Sequence, residues 1–390
     1  MMDGVEPKAT FPTAAPVGQT APGSAGAQQG LAIIGIIGAG VMGAGIAQVA
    51  LEAGHEVVMF DVDSAALAKG RERIADGLAR RAARALPEPV GTDRWVAARL
   101  DQLRETEALE QVGDEADVVV EAALESFEIK TTIFRALDGV ADPRTILASN
   151  TSALSIAEIA ATTAHPERVL GLHFFNPAPL MALVEVVAGP ATDVSVVAAA
   201  TDLVTAWGKT AVRSVDSPGF IVNRVNRPFT LGALRLLEAG SASIENIDAA
   251  LRAAGFPLGP FELMDLTGID VTFAASTAIW ERLGRPDRLR PSPVQAELIA
   301  TGRLGRKTGE GFYRYVDGAR VPLGNVASGE STAASAATIR GLILGAIDAE
   351  ARLLVAEGVA SPADIDLAMR LGANHPVGPF ERARAGRGVE

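Results

Sequence analysis

Short runs of aliphatic and β-branched residues alternate with longer amphipathic stretches between residues 32 and 216. The short runs have the composition and bounding residues of buried strands, whereas the longer stretches have the apolar spacing of helices. Strands are predicted over 32–38, 56–61, 117–123, 145–150, 168–175, 183–189 and 210–215. Helices are predicted over 41–54, from 64 to about 84, over 127–137 and from 194 to about 207. This alternation predicts a mostly parallel sheet that is covered by helices on both faces.

The strand pattern ends after Asp216, and helical spacing interrupted by glycine and proline extends from 218 to about 300. A polar stretch of small residues follows, and then helical spacing resumes. The predicted organisation is an α/β domain over 31–215, a helical domain over 216–315, a linker over 316–338 and a last helical segment over 339–390.

The last segment repeats part of the helical domain. Residues 350–381 share Arg-Leu-Leu, Ile-Asp and Gly-Pro-Phe-Glu, in the same order, with residues 233–262. Because the first copy continues through Thr301, the second copy is predicted to be partial. We expect the chain to form a homodimer, and the partial copy could either replace or extend a dimer interface.

The composition argues against several classes of function. A net charge of −12 is unsuited to a nucleic-acid partner, which requires a basic surface. No apolar run is long enough to span a bilayer, so no membrane partner is expected. Residues 1–30 lack the basic start and apolar run of a signal peptide, and we expect a disordered tail there. Since the chain has no cysteine, we expect no disulfide, no metal and a cytoplasmic location.

The sequence GAGVMG at 38–43 matches Gly-x-Gly-x-x-Gly and lies between a predicted strand and a predicted helix. In this context Gly38 allows a tight turn, Gly40 lets the backbone approach a pyrophosphate, and Gly43 lets helix and strand pack closely. A carboxylate at the end of the second strand accepts hydrogen bonds from ribose hydroxyls and repels a 2′-phosphate. We therefore predict a Rossmann-type domain that binds NAD through Gly38, Ala39, Gly40, Val41, Met42, Gly43 and Asp61.

A histidine and a glutamate lie in the largely apolar run GLHFFNPAPLMALVEVV at 171–187. His173 ends a predicted strand, as Asn150 and Ser152 nearly do, and such strand ends form the ligand-binding edge of this kind of sheet. Histidine ordinarily has a pKa of about 6.5, so beside a nicotinamide it can take the proton of an alcohol during hydride transfer. Glu185 is placed to orient the ring. Spacing alone also allows a buried structural histidine and a solvated carboxylate.

Several motifs together resemble the 3-hydroxyacyl-CoA dehydrogenase family. They occur in the family's order over residues 32–315: GAGVMGAGIAQ, EAALESFEIK, SNTSALSI, GLHFFNPAPLMALVEVV, DSPGFIVNR, GPFELMDLTGID and GRKTGEGFY. The resemblance implies a Rossmann-type domain followed by an all-α domain, and reversible NAD-dependent oxidation of (S)-3-hydroxyacyl-CoA to 3-oxoacyl-CoA. The repeat resembles members with a duplicated C-terminal domain. These include 3-hydroxybutyryl-CoA dehydrogenases, which we take as the expected activity, and 3-hydroxyadipyl-CoA dehydrogenases of phenylacetate breakdown.

The resemblance also implies roles for single residues. His173 corresponds to the catalytic base and Glu185 to its partner. Ser152 and Asn223 correspond to groups that bind the substrate near its reacting oxygen, and Ser152 also contacts the cofactor. Further implied contacts with cofactor or with the bound thioester are Glu125, Lys130 and Lys307.

The contacts with coenzyme A are the part of this assignment that departs from the family pattern. A family serine that contacts coenzyme A corresponds to Gly77, and the expected basic residue corresponds to Arg84, with Arg80 and Arg81 nearby. We expect Arg84 and Lys130 to bind the substrate. An arginine-rich helix is also an ordinary solvated face.

Other interpretations of these residues stay open. Ser152 could be a helix N-cap, Asn223 a polar residue on a buried helix and Lys307 a surface charge. The chain could be another two-domain NAD-dependent hydroxy-acid dehydrogenase, although many of those use a lysine base, unlike His173 with Glu185. It could also be a dinucleotide-binding protein without catalysis, which the complete set of polar site residues disfavours.

Overall fold

The structure, a computed structural model, describes residues 32–85, 89–321 and 334–386. The predicted tail and residues 322–333 of the predicted linker lie outside the described residues. The described residues belong to one compact unit. Within the described ranges, every helix is either too short or too polar to cross a membrane.

The first part of the chain forms an eight-stranded sheet with helices on both sides. Its elements are β1 (Ile33–Ile37), α1 (Val41–Glu52), β2 (Glu56–Phe60), α2 (Ser64–Ala85), α3 (Pro89–Leu100), β3 (Leu103–Thr106), α4 (Leu109–Glu115), β4 (Val118–Glu121), α5 (Phe127–Val140), β5 (Ile146–Ser149), α6 (Ile156–Ala160), β6 (Val169–Phe174), β7 (Leu183–Ala188), α7 (Val194–Ala206) and β8 (Thr210–Val215). The predicted α/β fold class is confirmed. The unit formed by α3, β3 and α4 was not predicted from the sequence.

The strand order is β3-β2-β1-β4-β5-β6-β7-β8, and β6 and β7 form the antiparallel pair. Ile34 and Ile36 of β1 belong to the apolar core on one face of the sheet, and Ile37 belongs to the core on the other face. The central strands are therefore apolar on both sides, as covered parallel strands are. The strand order reverses between β1 and β4, which opens a crevice at the carboxyl ends of the strands.

The second part is mainly helical. Its elements are α8 (Val222–Val225), α9 (Arg227–Glu238), α10 (Ile244–Ala253), α11 (Pro260–Thr267), α12 (Ile269–Arg282), α13 (Pro293–Ala300), β9 (Arg314–Val316), β10 (Ala319–Val321), α14 (Ala336–Ala356), α15 (Pro362–Gly372) and α16 (Pro379–Gly386). The prediction that strands end at Asp216 is wrong, because β9 and β10 form an antiparallel hairpin at the start of the predicted linker. The buried Tyr315 anchors this hairpin by donating its hydroxyl to Asp265 at 3.0 Å.

The two repeated sequences occupy equivalent helices. The first copy (233–262) runs from α9 into α11, and the second copy (350–381) runs from the end of α14 into α16. Helix α14 packs against α9 and α10. One apolar core contains buried residues of both copies, among them Leu234, Leu251, Leu354 and Met369.

Candidate active site

The glycine-rich turn between β1 and α1 shapes the crevice at the centre of the sheet. Gly38 has a φ of 100°, and a Cβ on it would lie 2.8 Å from the carbonyl oxygen of Ala122. A Cβ on Gly43 would lie 1.8 Å from the carbonyl oxygen of Gly38, so neither position accepts a side chain. A Cβ on Gly40 would meet no atom within 4 Å, because Gly40 borders open space at the start of α1. A phosphate can therefore approach the free N–H groups of this helix.

Asp61 closes the other side of this crevice at the end of β2. Its Oδ2 accepts a hydrogen bond from the backbone N–H of Ala39 at 2.8 Å, and its Oδ1 accepts one from Asp63 at 3.2 Å. The carboxylate keeps further lone pairs for a ribose hydroxyl. Lining residues of the resulting cavity of about 780 Å³ include Gly38, Gly40, Val41, Met42 and Asp61. Ala39 and Gly43 are buried residues of the turn and do not line this cavity. The turn, the start of α1 and Asp61 together fit a dinucleotide.

A second cavity of about 540 Å³ adjoins the first, since Met42, Ala122 and Ala123 line both. It lies between the carboxyl ends of the strands and the helices α8, α9 and α12. The predicted site residues in its lining are Glu125, Lys130, Ser152, His173 and Asn223. A molecule in this cavity would lie next to one end of a bound dinucleotide.

His173 and Glu185 form a buried pair at the base of the second cavity. They face each other directly in the antiparallel register of β6 and β7, and the His173 Nδ1 lies 2.5 Å from the Glu185 Oε2. The other carboxylate oxygen of Glu185 accepts hydrogen bonds from the backbone N–H groups of Ile221 and Val222 at 3.0 and 2.9 Å. With Nδ1 committed to the carboxylate, Nε2 is the ring nitrogen available for proton transfer.

Two aromatic rings fix the plane of the His173 imidazole. The ring centroid of Phe175 lies 4.5 Å from that of His173, and the ring centroid of Phe220 lies 5.8 Å away. The neighbouring Asn150 accepts the backbone N–H of Phe174 at 2.8 Å. Asn150 therefore ties the end of β6 to the end of β5, which holds the two strand ends of the site together.

Ser152 and Asn223 lie together at the cavity wall. Asn223, on α8, donates its Nδ2 to the backbone carbonyl of Ser152 at 3.4 Å. Ser152 does not cap a helix, since Ser155 is the N-cap of α6 and accepts the N–H of Glu158. The Ser152 hydroxyl is exposed to the cavity and free to bind a ligand.

Glu125 and Lys130 support the loop that carries Ser152. The Glu125 Oε1 accepts the Thr151 hydroxyl at 2.6 Å and the backbone N–H of Ser152 at 3.0 Å. The buried ammonium of Lys130 bonds Glu121 at 2.7 Å and lies 3.3 Å from Glu125. Lys130 thus has two carboxylate partners within the protein. The sequence analysis missed Glu121, although its position at the end of β4 in "VVVEAALE" marked it as a buried carboxylate.

The structure does not bring Arg84 and Lys307 to either cavity. Arg84 is exposed in the last turn of α2. Lys307 bonds both carboxylate oxygens of Asp270, at 2.6 and 2.7 Å, and this contact lowers the pKa of Asp270. Neither side chain is among those lining the dinucleotide crevice or the second cavity.

Arg227 is a cavity residue that the sequence analysis missed. It begins α9 and lines the second cavity, and its side chain is largely buried. Its Nε donates to the backbone carbonyl of Asn223 at 3.2 Å and its Nη1 to the Ser276 hydroxyl at 3.4 Å. Burial lowers the pKa of Arg227 to about 10. In the sequence it is an ordinary arginine before a proline at a helix start, and only the packing of α12 over it distinguishes it.

The histidine and carboxylate side chains of the described residues form no group of three or more that could hold a metal ion.

Comparison with protein families matches almost the whole described chain. The NAD binding domain of 3-hydroxyacyl-CoA dehydrogenase matches residues 33–217. The C-terminal domain of 3-hydroxyacyl-CoA dehydrogenase matches 219–315 and 342–385. The second match includes both the first and the second copy of the repeat.

Individual relatives are similar over the same region. A 3-hydroxyadipyl-CoA dehydrogenase of Escherichia coli K12 is 47% identical over 281 residues, which are 72% of this chain and 58% of that protein. A 3-hydroxybutyryl-CoA dehydrogenase of Mycobacterium tuberculosis H37Rv is 40% identical over 285 residues, 72% of this chain and 98% of that protein. The crystal structure of a 3-hydroxybutyryl-CoA dehydrogenase from Escherichia coli K12 matches with a TM-score of 0.79 at 36% identity, over 90% of each chain. The alignment with the first relative thus spans little more than half of it, whereas the other two are matched nearly throughout.

Proposed function

Because this chain belongs to the 3-hydroxyacyl-CoA dehydrogenase family, we propose that His173 is the base that removes the proton from the 3-hydroxyl group of its substrate. The chain is an NAD-dependent dehydrogenase that oxidises 3-hydroxyacyl-CoA. The observation that carries the proposal for His173 is its buried pairing with Glu185 beside a cavity that adjoins the dinucleotide crevice. A histidine whose one nitrogen is committed to a carboxylate presents the other as a proton acceptor of fixed orientation.

The glycine-rich turn at 38–43 and Asp61 would hold NAD, which would supply the hydride acceptor for C3 of the substrate. The His173 Nε2 takes the hydroxyl proton during oxidation and returns it to the 3-oxo group during reduction. Glu185 stabilises the positively charged ring, and the N–H groups of Ile221 and Val222 hold the carboxylate in place. Ser152 and Asn223 bind the substrate oxygen as its charge changes.

Glu125 and Lys130 act on this site by positioning the loop of Ser152. Glu125 holds the backbone of that loop, and Lys130 holds Glu125.

Arg84 and Lys307 are proposed contacts for the exposed part of coenzyme A, whose phosphates are anionic. The lack of cysteine and the bacterial relatives support a cytoplasmic location. A homodimer is proposed from the family resemblance.

The acyl chain is proposed to be short, of the size of 3-hydroxybutyryl. The volume of the second cavity, about 540 Å³, and the relatives named 3-hydroxybutyryl-CoA dehydrogenase support this size. A 3-hydroxyadipyl chain is the second candidate. One specific observation favours it, namely a cationic side chain, Arg227, in the lining of the acyl cavity.

The test is the consumption of NADH with acetoacetyl-CoA, compared between the wild type and His173→Gln. We expect kcat to fall by roughly 10²- to 10⁴-fold, because general base catalysis contributes that much, while NADH binding measured by fluorescence is retained. The matched control is His165→Gln, since His165 is exposed and pairs with Glu167 away from the cavities. A His173→Gln variant with a near-normal kcat would show that another group carries the proton.

A further inference from the structure

The charged residues of the second cavity differ in how they are paired. His173 has Glu185, and Lys130 has Glu121 and Glu125. Among the basic residues that line the cavity, only Arg227 has no carboxylate within 4 Å in the described parts of the chain. Only 9% of its surface is exposed. A buried cation without a counter-ion is unfavourable, and such a side chain in a ligand cavity marks a place where the ligand supplies the anion.

The hydrogen bonds of Arg227 hold its side chain in place but leave its charge uncompensated. The carbonyl of Asn223 is a neutral acceptor. The Ser276 hydroxyl donates its own proton to the carbonyl of Thr272 at 2.7 Å, so only its oxygen lone pairs face the guanidinium. The planar guanidinium carries five N–H donors, and these two bonds use two of them. The remaining donors have the geometry that binds a carboxylate through two parallel hydrogen bonds.

The position of Arg227 relative to Asn223 sets the distance between the Arg227 guanidinium and C3 of the substrate. The two residues are four apart along α8 and α9, so they lie on one face of the helical segment, about one turn or roughly 5 Å apart along its axis. Asn223 is the proposed contact of the substrate oxygen at C3. The coenzyme A part of the substrate is too large for the cavity and must extend out through its open side. The acyl end therefore extends inward, towards Arg227.

We propose that Arg227 binds a carboxylate at the distal end of a longer acyl chain, so that the site also accepts a 3-hydroxy dicarboxylyl-CoA and prefers it to the ester of equal length that ends in a methyl group. This inference rests on the proposed function, because it takes the second cavity as the acyl site. Thr272 and Ala275 of α12 and the ring of Phe175 also line this cavity. These side chains contact the methylene groups, and the guanidinium contacts the charged end.

The experiment compares kcat/KM for 3-oxoadipyl-CoA and 3-oxohexanoyl-CoA, which have equal chain length but end in a carboxylate and a methyl group. With NADH in excess, the wild type is expected to prefer 3-oxoadipyl-CoA by roughly 10- to 100-fold, since hydrogen bonds to a charged group have that strength. Arg227→Met is expected to reduce this ratio to about 1 or below, and Arg227→Lys to give an intermediate ratio, because lysine keeps the charge but loses the planar donors. The matched control is Arg285→Met, an exposed arginine outside the cavity, which should keep the wild-type ratio.

The outcomes separate this inference from the proposed function. Reduction of acetoacetyl-CoA and 3-oxohexanoyl-CoA without preference for 3-oxoadipyl-CoA would overturn the role of Arg227 and leave the dehydrogenase function intact. An equal loss on both six-carbon substrates in Arg227→Met would show a purely structural arginine. Inactivity of the wild type on every 3-oxoacyl-CoA would overturn both proposals. If Arg227→Met does not fold, inhibition of the wild type by adipyl-CoA and hexanoyl-CoA decides, since the inference requires adipyl-CoA to inhibit at a concentration at least about 10-fold lower.

Discussion

The first and second copies of the helical repeat use the same side-chain contacts at equivalent positions. Asp248 accepts the backbone N–H of Phe261 at 3.0 Å, and Asp366 accepts that of Phe380 at 2.7 Å. In both copies the aspartate of Ile-Asp therefore caps the helix that begins at Gly-Pro-Phe-Glu. The Ile-Asp and Gly-Pro-Phe-Glu motifs occur in both copies because each copy needs the same acceptor for the first N–H groups of that helix.

Other equivalent positions agree as well. Ser243 and Ser361 are the N-caps of α10 and α15. The arginine that follows the aspartate pairs with the glutamate of Gly-Pro-Phe-Glu in each copy: Arg252 with Glu262, and Arg370 with Glu381. These contacts all lie within about twenty residues in each copy, so each copy carries both partners of every contact in its own sequence.

The two copies differ in what surrounds these contacts. Asp248 also accepts the hydroxyl of Tyr313 at 2.8 Å, and burial raises the pKa of Asp248 to about 6 despite these hydrogen bonds. Asp366 is instead bonded by Arg384, whose side chain is 62% exposed. The comparison shows that the motif sets the helix cap, whereas the segment that follows the motif sets the electrostatic environment.

The copies also differ in their relation to the cavity. Asn223 and Arg227 precede the first copy and line the acyl cavity. The second copy contacts the neighbouring Arg224 instead. Its residues Glu350 and Glu357 both accept hydrogen bonds from the Arg224 guanidinium. One copy thus contributes to the site, and the other supports the helix that carries the site residues.

The largest effect is expected from breaking the contact between the copies. Arg224→Met should lower the free energy of unfolding by about 3–5 kcal/mol, because Glu350 and Glu357 both lose the buried guanidinium and the buried Glu350 keeps only the partly exposed Arg288 as a partner. Urea denaturation followed by far-ultraviolet circular dichroism measures this. Glu281→Gln, which removes an exposed partner of Arg285, should change the same quantity by less than about 0.5 kcal/mol. A loss below about 1 kcal/mol in Arg224→Met would mean that the second copy does not depend on this ion cluster.

A smaller effect should distinguish the two helix caps. Asp248→Ala leaves the buried N–H groups of Phe261 and Glu262 and the Tyr313 hydroxyl without their acceptor, and should lower the free energy of unfolding by about 3 kcal/mol. Asp366→Ala should lower it by about 1 kcal/mol, because the exposed arginine that it releases returns to water. Thermal and urea unfolding of both variants give the comparison. Equal losses would show that the surroundings of the cap do not matter.

A third effect, on pH dependence, concerns the contact between His375 and Phe256, which occupy equivalent positions in the two copies and lie 4.9 Å apart between ring centroids. Burial lowers the pKa of His375 from 6.5 to about 3, so its contribution to stability is complete above about pH 6.5 and is lost as the pH falls towards 3. The wild type should lose about 2 kcal/mol of unfolding free energy between pH 8 and pH 5 through this residue. His375→Phe should lack that loss. Urea titrations at both pH values test it, and an identical pH dependence in the two proteins would contradict the assignment.

The sequence predicted the parts of the molecule that rest on local patterns. The turn around Gly38, the strand that ends at Asp61 and the boundaries of most strands follow from short-range periodicity and from the space that glycine leaves. The predicted pairing of His173 with Glu185 also agrees with the geometry, because strands separated by a short connection are commonly neighbours. Their roles in catalysis stay predictions.

The parts that the sequence did not reveal depend on distant segments. The pairing of Lys130 with Glu121 inside the protein, rather than with a ligand alone, depends on the packing of α5 against the end of β4. The importance of Arg227 depends on α12, some fifty residues further along the chain. The hairpin at Tyr315 depends on the buried acceptor Asp265. None of these has a periodic signal, because each is a single contact between separate elements.

The backbone N–H of Val215 donates to the carbonyl of Val359 at 2.9 Å, which joins the end of β8 to the second copy. β8 is an outermost strand of the sheet, and such a strand offers unpaired peptide groups to which another polypeptide can add. Helix α15 lies against β8. The duplication therefore shields one margin of the sheet from intermolecular strand addition, a protection against aggregation that has no part in hydride transfer.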